Sequence, residues 1–291
     1  MKDTNRQVGG TKGQTQDRQP GIESEMDPRP VYEEKDYKYK GADKLKNKVA
    51  LITGGDSGIG RAVAIAYAKE GAHVAVSYLD EEGDAELVKE AVEKEGVKCT
   101  LHAGDVGDED FCKRLIKDVV AEHGRIDILV NNAGEQHPQD GIENISTEQL
   151  HKTFQTNFFS MFYLTKGTLP YMKEGSTIIN TASINAYRGH ATLIDYSSTK
   201  GAIVAFTRSM AQSLADKGIR VNGVAPGPIW TPLIPATFPK EQVEEFGLDT
   251  LMNRPGQPVE HVGSYVLLAS DESSYMTGQF IHINGGAYIS S

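Results

Sequence analysis

From residue 48 onwards, short apolar runs alternate with longer stretches in which apolar residues recur at helical spacing. The short runs are rich in Val, Ile and Thr and predict strands at 49–53, 73–78, 99–103, 126–132, 176–182, 220–225 and 279–283. The longer stretches predict helices at 58–70, 84–95, 108–123, 147–172, 195–217 and 259–269. Because strands and helices take turns along the chain, the pattern predicts βαβ units and an α/β fold with a parallel sheet.

Two segments depart from this alternation. Residues 1–46 are polar and rich in Lys, Asp, Gln, Gly and Pro, so we predict a partly ordered N-terminal arm ahead of a catalytic domain at 47–291. A solvated tail is the alternative, although the arm carries apolar and aromatic residues that suit docking on a neighbouring surface: Ile22, Met26, Val31, Tyr32, Tyr37 and Tyr39. The proline-rich segment 228–257 follows the sixth strand, at the sheet end where open α/β folds bind ligands, and it is a candidate lid.

Composition narrows the class of protein. The 291 residues are 38% hydrophobic and 24% charged, as in a soluble globular protein, and the net charge of −10 argues against nucleic acid or an anionic membrane as the main partner. Cys99 and Cys112 belong to no CxxC or Cys/His cluster, which argues against a disulfide framework or a zinc site. No stretch has the apolar length of a signal peptide or membrane helix, so we expect a cytoplasmic protein.

A glycine cluster follows the first predicted strand, in the sequence TGGDSGIG. Gly54, Gly58 and Gly60 lie between a strand and a helix, where backbone can approach a pyrophosphate and the helix N-terminus can offer its N–H groups. A purely steric role for these glycines is the alternative, because glycine also ends strands and begins helices.

Acidic residues follow the second predicted strand, where a dinucleotide fold meets the adenosine ribose. The sequence there runs from Tyr78 and Leu79 into Asp80, Glu81 and Glu82, with Asp56 in the glycine loop and no basic residue beyond Arg61 close by. This charge balance favours NAD over NADP. The choice stays open, because Leu79 stands where the acid is usual, and Arg61 or a remote lysine could meet a phosphate.

Tyr196 and Lys200 are one helical turn apart, so their head groups lie on one helix face. Alone, such a pair is usually a half-buried ring beside an extended amine. Here it occurs with TGGDSGIG, with NNAG at 131–134, with Ser183 after the fifth strand and with PGPIWT at 226–231. With these motifs in this order, residues 47–288 resemble a short-chain dehydrogenase/reductase. The arm sequence QPGIESEMDPRPVYEE resembles a bacterial branch of stress-protein oxidoreductases related to glucose and ribitol dehydrogenases.

The resemblance implies a single Rossmann-type, doubly wound domain with a seven-stranded parallel sheet. It implies a homotetramer assembled through the helices at 147–172 and 195–217. It also implies hydride transfer between NAD or NADP and a small or medium alcohol or carbonyl, such as an aldehyde, ketone, sugar or polyol. A dinucleotide-binding stress or regulatory protein without turnover is the rival, and a complete catalytic set argues against it.

The resemblance also implies roles for single residues. Tyr196 would be the general acid or base, and Lys200 would favour its phenolate and hold the nicotinamide ribose. Ser183 would hydrogen-bond the substrate oxygen, and Asn157 would hold a water that relays protons to the lysine.

The remaining implied contacts fall into two groups. Besides Tyr196 and Lys200, the cofactor contacts would be Gly54, Asp56, Ser57, Gly58, Ile59, Gly60, Tyr78, Leu79, Asp105, Val106, Asn131, Asn132, Ala133, Gly134, Pro226, Gly227, Ile229 and Thr231. Topology puts a second group near the substrate: Ser183, Gln136, His137, Asn185, Tyr187, His190 and Trp230. No metal is expected, because His137 and His190 belong to no ligand cluster. Asp108, rather than Asp105, is the expected cap of the third helix.

Overall fold

Seven parallel strands form the sheet in the computed structural model, which describes residues 10–33 and 39–289. They are β1 (Val49–Thr53), β2 (His73–Tyr78), β3 (Cys99–Ala103), β4 (Ile128–Asn131), β5 (Thr177–Thr181), β6 (Arg220–Pro226) and β7 (Phe280–Ile283). Their order across the sheet is β3-β2-β1-β4-β5-β6-β7, and every neighbouring pair is parallel. The predicted single α/β domain with a seven-stranded parallel sheet is therefore confirmed.

Helices cover both faces of this sheet. They are α1 (Gly58–Lys69), α2 (Glu82–Glu93), α3 (Glu109–His123), α4 (Thr147–Phe154), α5 (Ser160–Thr168), α6 (Asn185–Arg188), α7 (Ile194–Ser213), α8 (Lys240–Glu245) and α9 (Val262–Ala269). Single 3₁₀ turns occupy Glu23–Glu25, Ile142–Asn144, Leu169–Tyr171, Ala215–Lys217, Pro258–His261 and Asp271–Ser273. The side chain of Asp108 accepts a hydrogen bond from the Asp110 N–H, which confirms Asp108 as the cap of α3.

The two faces of the sheet bury two separate apolar clusters. Ala50 and Ile52 of β1 pack on one face with residues of α1, α2 and α9, whereas Val49 and Leu51 pack on the other with residues of α3, α5 and α7. Every residue of β1 is buried. Burial on both faces explains why the strands read as continuous apolar runs and not as alternating ones.

The predicted helix at 147–172 contains a π-helical turn near its middle. Between α4 and α5 the chain makes a π-helical turn at Gln155–Phe159, and Asn157 within it is fully buried. The prediction of one uninterrupted helix was wrong in this detail, because the extra residue of a π turn leaves no mark in the apolar spacing. Such turns are often found at functional sites.

The described part of the arm lies along the domain. The Thr11 hydroxyl donates to the Val243 carbonyl at 2.6 Å, and the Trp230 indole donates to the Pro28 carbonyl at 2.8 Å. The Val259 N–H donates to the Val31 carbonyl at 3.0 Å. Tyr32 and Tyr39 pack on the core, whereas Tyr37 lies outside the described residues. The arm is thus bound to the domain over 10–33, while the domain boundary at residue 46 stays a prediction.

Candidate active site

A cleft opens at the carboxyl ends of the strands, beside the point where the strand order reverses between β1 and β4. Ligands of open α/β sheets bind at such a point because the loops on either side turn away from each other. Most of the predicted site residues line this cleft: Gly54, Asp56, Ser57, Gly58, Ile59, Tyr78, Leu79, Asp105, Val106, Asn132, Ala133, Gly134, Gln136, Ser183, Asn185, His190, Tyr196, Lys200, Pro226, Gly227, Ile229 and Thr231.

The glycine loop brings β1, α1 and the loop after β4 into close contact. Gly54 has φ of +58°, and a Cβ there would lie 3.1 Å from Cα of Ala133. A Cβ on Gly60 would lie 1.9 Å from the carbonyl oxygen of Gly54, so any side chain at residue 60 would push α1 off the loop. Gly60 therefore lies behind the cleft wall and fixes its shape, instead of lining the cleft as predicted.

The arm places a buried carboxylate at the start of α1. Oε2 of Glu23 accepts from the Gly58 N–H at 2.6 Å, and its other oxygen pairs with Arg61. Asp84 completes the cluster by binding Arg61 at 3.2 Å and accepting from the Glu23 N–H at 2.7 Å. Burial raises the pKa of Glu23, and the Arg61 charge opposes that shift. One N–H predicted to face a pyrophosphate is thus bound by the arm.

The NNAG segment joins three strand ends. Asn132 donates to the carbonyls of Thr53 at 3.2 Å and Gly54 at 3.1 Å, and it accepts from the Thr181 hydroxyl at 3.2 Å. Asn131 is turned away from the cleft and donates to the Asn180 side chain at 2.9 Å. Asn131 was predicted as a cofactor contact, but its amide belongs to a buried link between β4 and β5.

Ser183, Tyr196 and Lys200 converge on one end of the cleft. Nζ of Lys200 lies 5.4 Å from the centre of the Tyr196 ring and donates to the Thr181 carbonyl at 3.0 Å. Burial raises the pKa of Tyr196 to about 12, partly offset by its hydrogen bond with Ser183, and burial lowers the pKa of Lys200 to about 8. At neutral pH this end therefore holds a protonated phenol beside an ammonium group.

Asn157 and Asp195 support this end from behind. Asn157 binds both main-chain groups of Glu135, accepting from its N–H at 2.8 Å and donating to its carbonyl at 2.9 Å, and it also donates to Thr199 at 3.2 Å. Asp195 is buried and accepts from the Thr153 hydroxyl at 2.9 Å. The loop after β4 and the first turn of α7 are therefore fixed relative to each other.

The opposite end of the cleft is acidic. Asp56 and Glu81 both line it, and burial raises their pKa values to about 6 and about 7 respectively. The Arg18 guanidinium reaches this end from the arm, donating to Asp80 and, at 3.2 Å, to Glu81. Sequence reasoning missed Arg18, because the residues that it binds follow it by about sixty positions.

Asp105, between the two ends, makes an ion pair that the sequence did not indicate. Its carboxylate binds Nζ of Lys152 at 2.8 Å and accepts from the Gly107 N–H at 2.7 Å. Burial acts to raise the pKa of Asp105, but these contacts with Lys152 and Gly107 outweigh it and hold the pKa below its usual value. Both Asp105 and Lys152 line the cleft.

Three predicted substrate contacts lie outside the cleft wall. Trp230 is fully buried against Met26 and donates to the Pro28 carbonyl, so its indole faces the arm. Tyr187 packs against the rings of His282 and Tyr288. His137 lies 3.7 Å from a Glu135 oxygen and is not among the residues that line the cleft. Topology put all three beside the sheet end, but it does not determine which way a loop side chain points.

Residues that were not predicted complete the cleft. Pro20 and Gly21 of the arm, Arg188 of α6, and Phe238 and Phe246 of the segment 228–257 (the candidate lid segment) all line it. Within 10–33 and 39–289, no group of His, Cys, Asp and Glu has the arrangement of a metal site. Over the same residues, no helix has the length and apolar character needed to span a membrane.

Known proteins share this fold. A family model described as enoyl-(acyl carrier protein) reductase matches residues 54–288. The glucose/ribitol dehydrogenase-type short-chain dehydrogenase/reductase of Brucella melitensis superposes with a TM-score of 0.78 at 32% identity, covering 85% of this chain and 99% of the other. A short-chain dehydrogenase of Burkholderia cenocepacia, solved in complex with NADP, gives 0.79 at 26% identity, covering 84% and 99%. The chain belongs to the short-chain dehydrogenase/reductase family of oxidoreductases.

Curated relatives are similar over nearly the whole chain, arm included. General stress protein 39 of Bacillus subtilis is 69% identical over 278 residues, which is 96% of each chain. NADPH-dependent aldehyde reductase 1 of Arabidopsis thaliana is 52% identical, over 96% of this chain and 98% of the relative. The glucose and ribitol dehydrogenase of Daucus carota is 51% identical, over 95% and 96%.

Proposed function

We propose that the protein transfers a hydride between the nicotinamide of NAD(P) and a small or medium alcohol or carbonyl compound, with Tyr196 as the general acid or base. The observation that carries the proposal is the convergence of Ser183, Tyr196 and Lys200 at one end of a cleft whose other end has a glycine loop. A bound nicotinamide cofactor would supply the redox chemistry, while the protein supplies the proton and the geometry.

The proton-transfer roles follow from the ionisation of the buried groups. Tyr196 keeps its proton at neutral pH, so it can donate to a carbonyl oxygen that gains negative charge. Ser183 lies beside it and can stabilise the same oxygen with a second hydrogen bond. The Lys200 ammonium favours the phenolate that remains after the proton has left. In the oxidative direction the same phenolate would accept the alcohol proton.

The cleft walls fit a dinucleotide. The glycine loop lets a ligand approach the main chain before α1, and a Cβ on Gly134 would lie 3.4 Å from Oδ1 of Asn157 and 3.6 Å from Nζ of Lys200. We expect a preference for NAD, because Asp56 and Glu81 line the end that receives the adenosine ribose and would repel an added phosphate. One relative is named an NADPH-dependent reductase, and one similar structure was solved with NADP, so both cofactors should be tested.

The substrate end combines polar and apolar side chains. Gln136, Asn185 and His190 line it together with Leu193 and Phe238. This mixture suits a hydroxylated or carbonyl compound with an apolar part, and the aldehyde reductase and the glucose and ribitol dehydrogenase among the relatives belong to that range. Aldehydes, ketones, sugars and polyols are therefore the panel to assay.

Substitution of Tyr196 by Phe tests the proposal. We expect turnover of a verified substrate to fall by at least about 100-fold, because the proton donor is lost, while NADH still binds in a fluorescence titration. Tyr171→Phe is the matched control, since Tyr171 is exposed outside the cleft. Near-normal turnover by Tyr196→Phe would contradict the proposed mechanism.

The tetramer and the cytoplasmic location stay predictions. Phe159 and Phe162, on the long helical segment expected at a subunit interface, are 40% and 50% exposed, which supports assembly through that face. Light scattering of the purified protein distinguishes a tetramer from a monomer.

A further inference from the structure

The N-terminal arm crosses the cleft between its acidic end and the segment 228–257. The main chain of Gln16 donates to the Pro235 carbonyl of the lid segment at 2.8 Å, and Pro20 and Gly21 then line the cleft. A Cβ on Gly21 would lie 2.5 Å from the Pro232 carbonyl oxygen, so the arm runs directly against the lid. Pro20 and Gly21 are therefore part of the cleft wall in this structure.

Arg18, two residues before Pro20, is the basic residue within 16–23. One guanidinium nitrogen donates to Asp80 and, at 3.2 Å, to Glu81, while Nε donates to the Pro20 carbonyl at 2.9 Å. The Arg18 side chain is 39% exposed and that of Asp80 is 60% exposed, whereas that of Glu81 is 1% exposed. Arg18 is thus held beside Glu81 of the cleft wall and is partly exposed, so it can exchange one partner for another.

Arg61, which the sequence suggested for a phosphate, cannot take that role in this arrangement. Its side chain is 2% exposed and is paired with Glu23 and Asp84. Removing one member of a buried ion pair leaves the other charge unpaired, at a large cost in free energy. Arg18 is the arginine that contacts Glu81 at the acidic end, where an added phosphate would lie.

The charges near Arg18 decide which ribose the site accepts. A ribose 2′-hydroxyl can donate to a carboxylate such as that of Glu81, whereas a 2′-phosphate carries about two negative charges and is repelled by it. Asp56 also lines the acidic end and is buried, and it adds to that repulsion when it is ionised. As long as Asp80 and Glu81 bind Arg18, its positive charge is neutralised internally.

We propose that Arg18 of the arm determines cofactor selection at the adenosine 2′ position. Held by Asp80 and Glu81, it leaves an acidic site that favours NAD; released from Asp80, it binds a 2′-phosphate and admits NADP. This inference rests on the proposed function, because it assigns the specificity of the same cofactor site.

A double-mutant cycle on the full-length protein tests this inference without turnover. NADH and NADPH are titrated by fluorescence against the wild type, Asp80→Asn, Arg18→Ala and the double variant. We expect the wild type to bind NADH more tightly than NADPH. Asp80→Asn should tighten NADPH binding by about tenfold, since a freed guanidinium makes a charge-assisted hydrogen bond to phosphate. NADH binding should change by less than about twofold in that variant.

The decisive comparison is the effect of Asp80→Asn in the absence of Arg18. We expect the gain in NADPH affinity to disappear in the double variant, because the two residues then act through one contact. An equal gain with and without Arg18 would overturn the inference and leave the proposed function standing. A wild type that binds neither cofactor would overturn the proposed function as well. Asp27→Asn, which frees Lys12 in an exposed arm ion pair, is the matched control and should alter neither affinity.

Discussion

The two ends of the cleft are constructed in different ways. At one end, Tyr196 and Lys200 lie one turn apart on α7, and Ser183 follows β5. At the acidic end, Glu81 meets Arg18, which lies 63 positions earlier in the arm. Local helix geometry sets the Tyr196–Lys200 pair, whereas the contact at the acidic end depends on docking of a distant segment. One site can therefore combine a part that sequence motifs reveal with a part that they do not.

The two ends also differ in exposure to solvent. Tyr196 is 8% exposed and Lys200 3%, so removing or titrating either of them acts at full strength. Arg18 and Asp80 are much more exposed, and their interaction is screened by water and salt. We therefore expect the largest effects at the end that holds Tyr196 and Lys200, and smaller, selective effects in the arm.

Replacing Lys200 by Met should have the largest effect of the following changes. We expect kcat to fall by at least about 100-fold, because a buried positive charge that stabilises the phenolate of Tyr196 is removed. Lys166→Met, an exposed lysine of α5, is the matched control. Stopped-flow or steady-state assays at saturating cofactor measure the change, and unchanged kcat would mean that Tyr196 works without this neighbour.

Replacing Glu23 by Ala tests how much the docked arm contributes to the free energy of unfolding. Arg61 and Asp84 would lose a buried partner, and we expect the free energy of unfolding to fall by about 3–5 kcal/mol. Urea denaturation followed by circular dichroism measures this, with the exposed Glu25→Ala as the control. A loss no larger than that of the control would show that the arm is only loosely attached.

The sequence predicted the strands and the closeness of Tyr196 to Lys200 because both depend on local spacing, whereas the catalytic role of this pair stays a prediction. Apolar periodicity places β1 to β7, and one helical turn brings Tyr196 and Lys200 together. Contacts between distant residues leave no periodic trace, so Glu23 at the start of α1 and Arg18 at the end of β2 could not be read from it. Trp230 was misplaced for the same reason, since its indole is oriented by the arm carbonyl of Pro28.

The pH dependence of turnover should follow Lys200. Its pKa is lowered to about 8 by burial, so the charge is present below pH 8 and is lost as the pH rises through that value. Carbonyl reduction at saturating cofactor should then decline by up to about tenfold per pH unit. Tyr196, with its pKa near 12, stays protonated over this range and does not cause the fall. A rate that is constant to pH 10 would contradict this assignment.

Replacing Gln19 by Ala should have the smallest effect, confined to the substrate side. Its amide accepts from the Gln136 N–H at 3.1 Å and donates to the carbonyls of Gln136 at 2.7 Å and Ala236 at 3.2 Å. Loss of these contacts should loosen the loop after β4 and raise the substrate KM about fivefold, with kcat nearly unchanged. Gln14→Ala removes hydrogen bonds within the exposed arm and serves as the control. If cofactor affinity changes and the substrate KM does not, the arm positions the dinucleotide at this point and not the substrate loop.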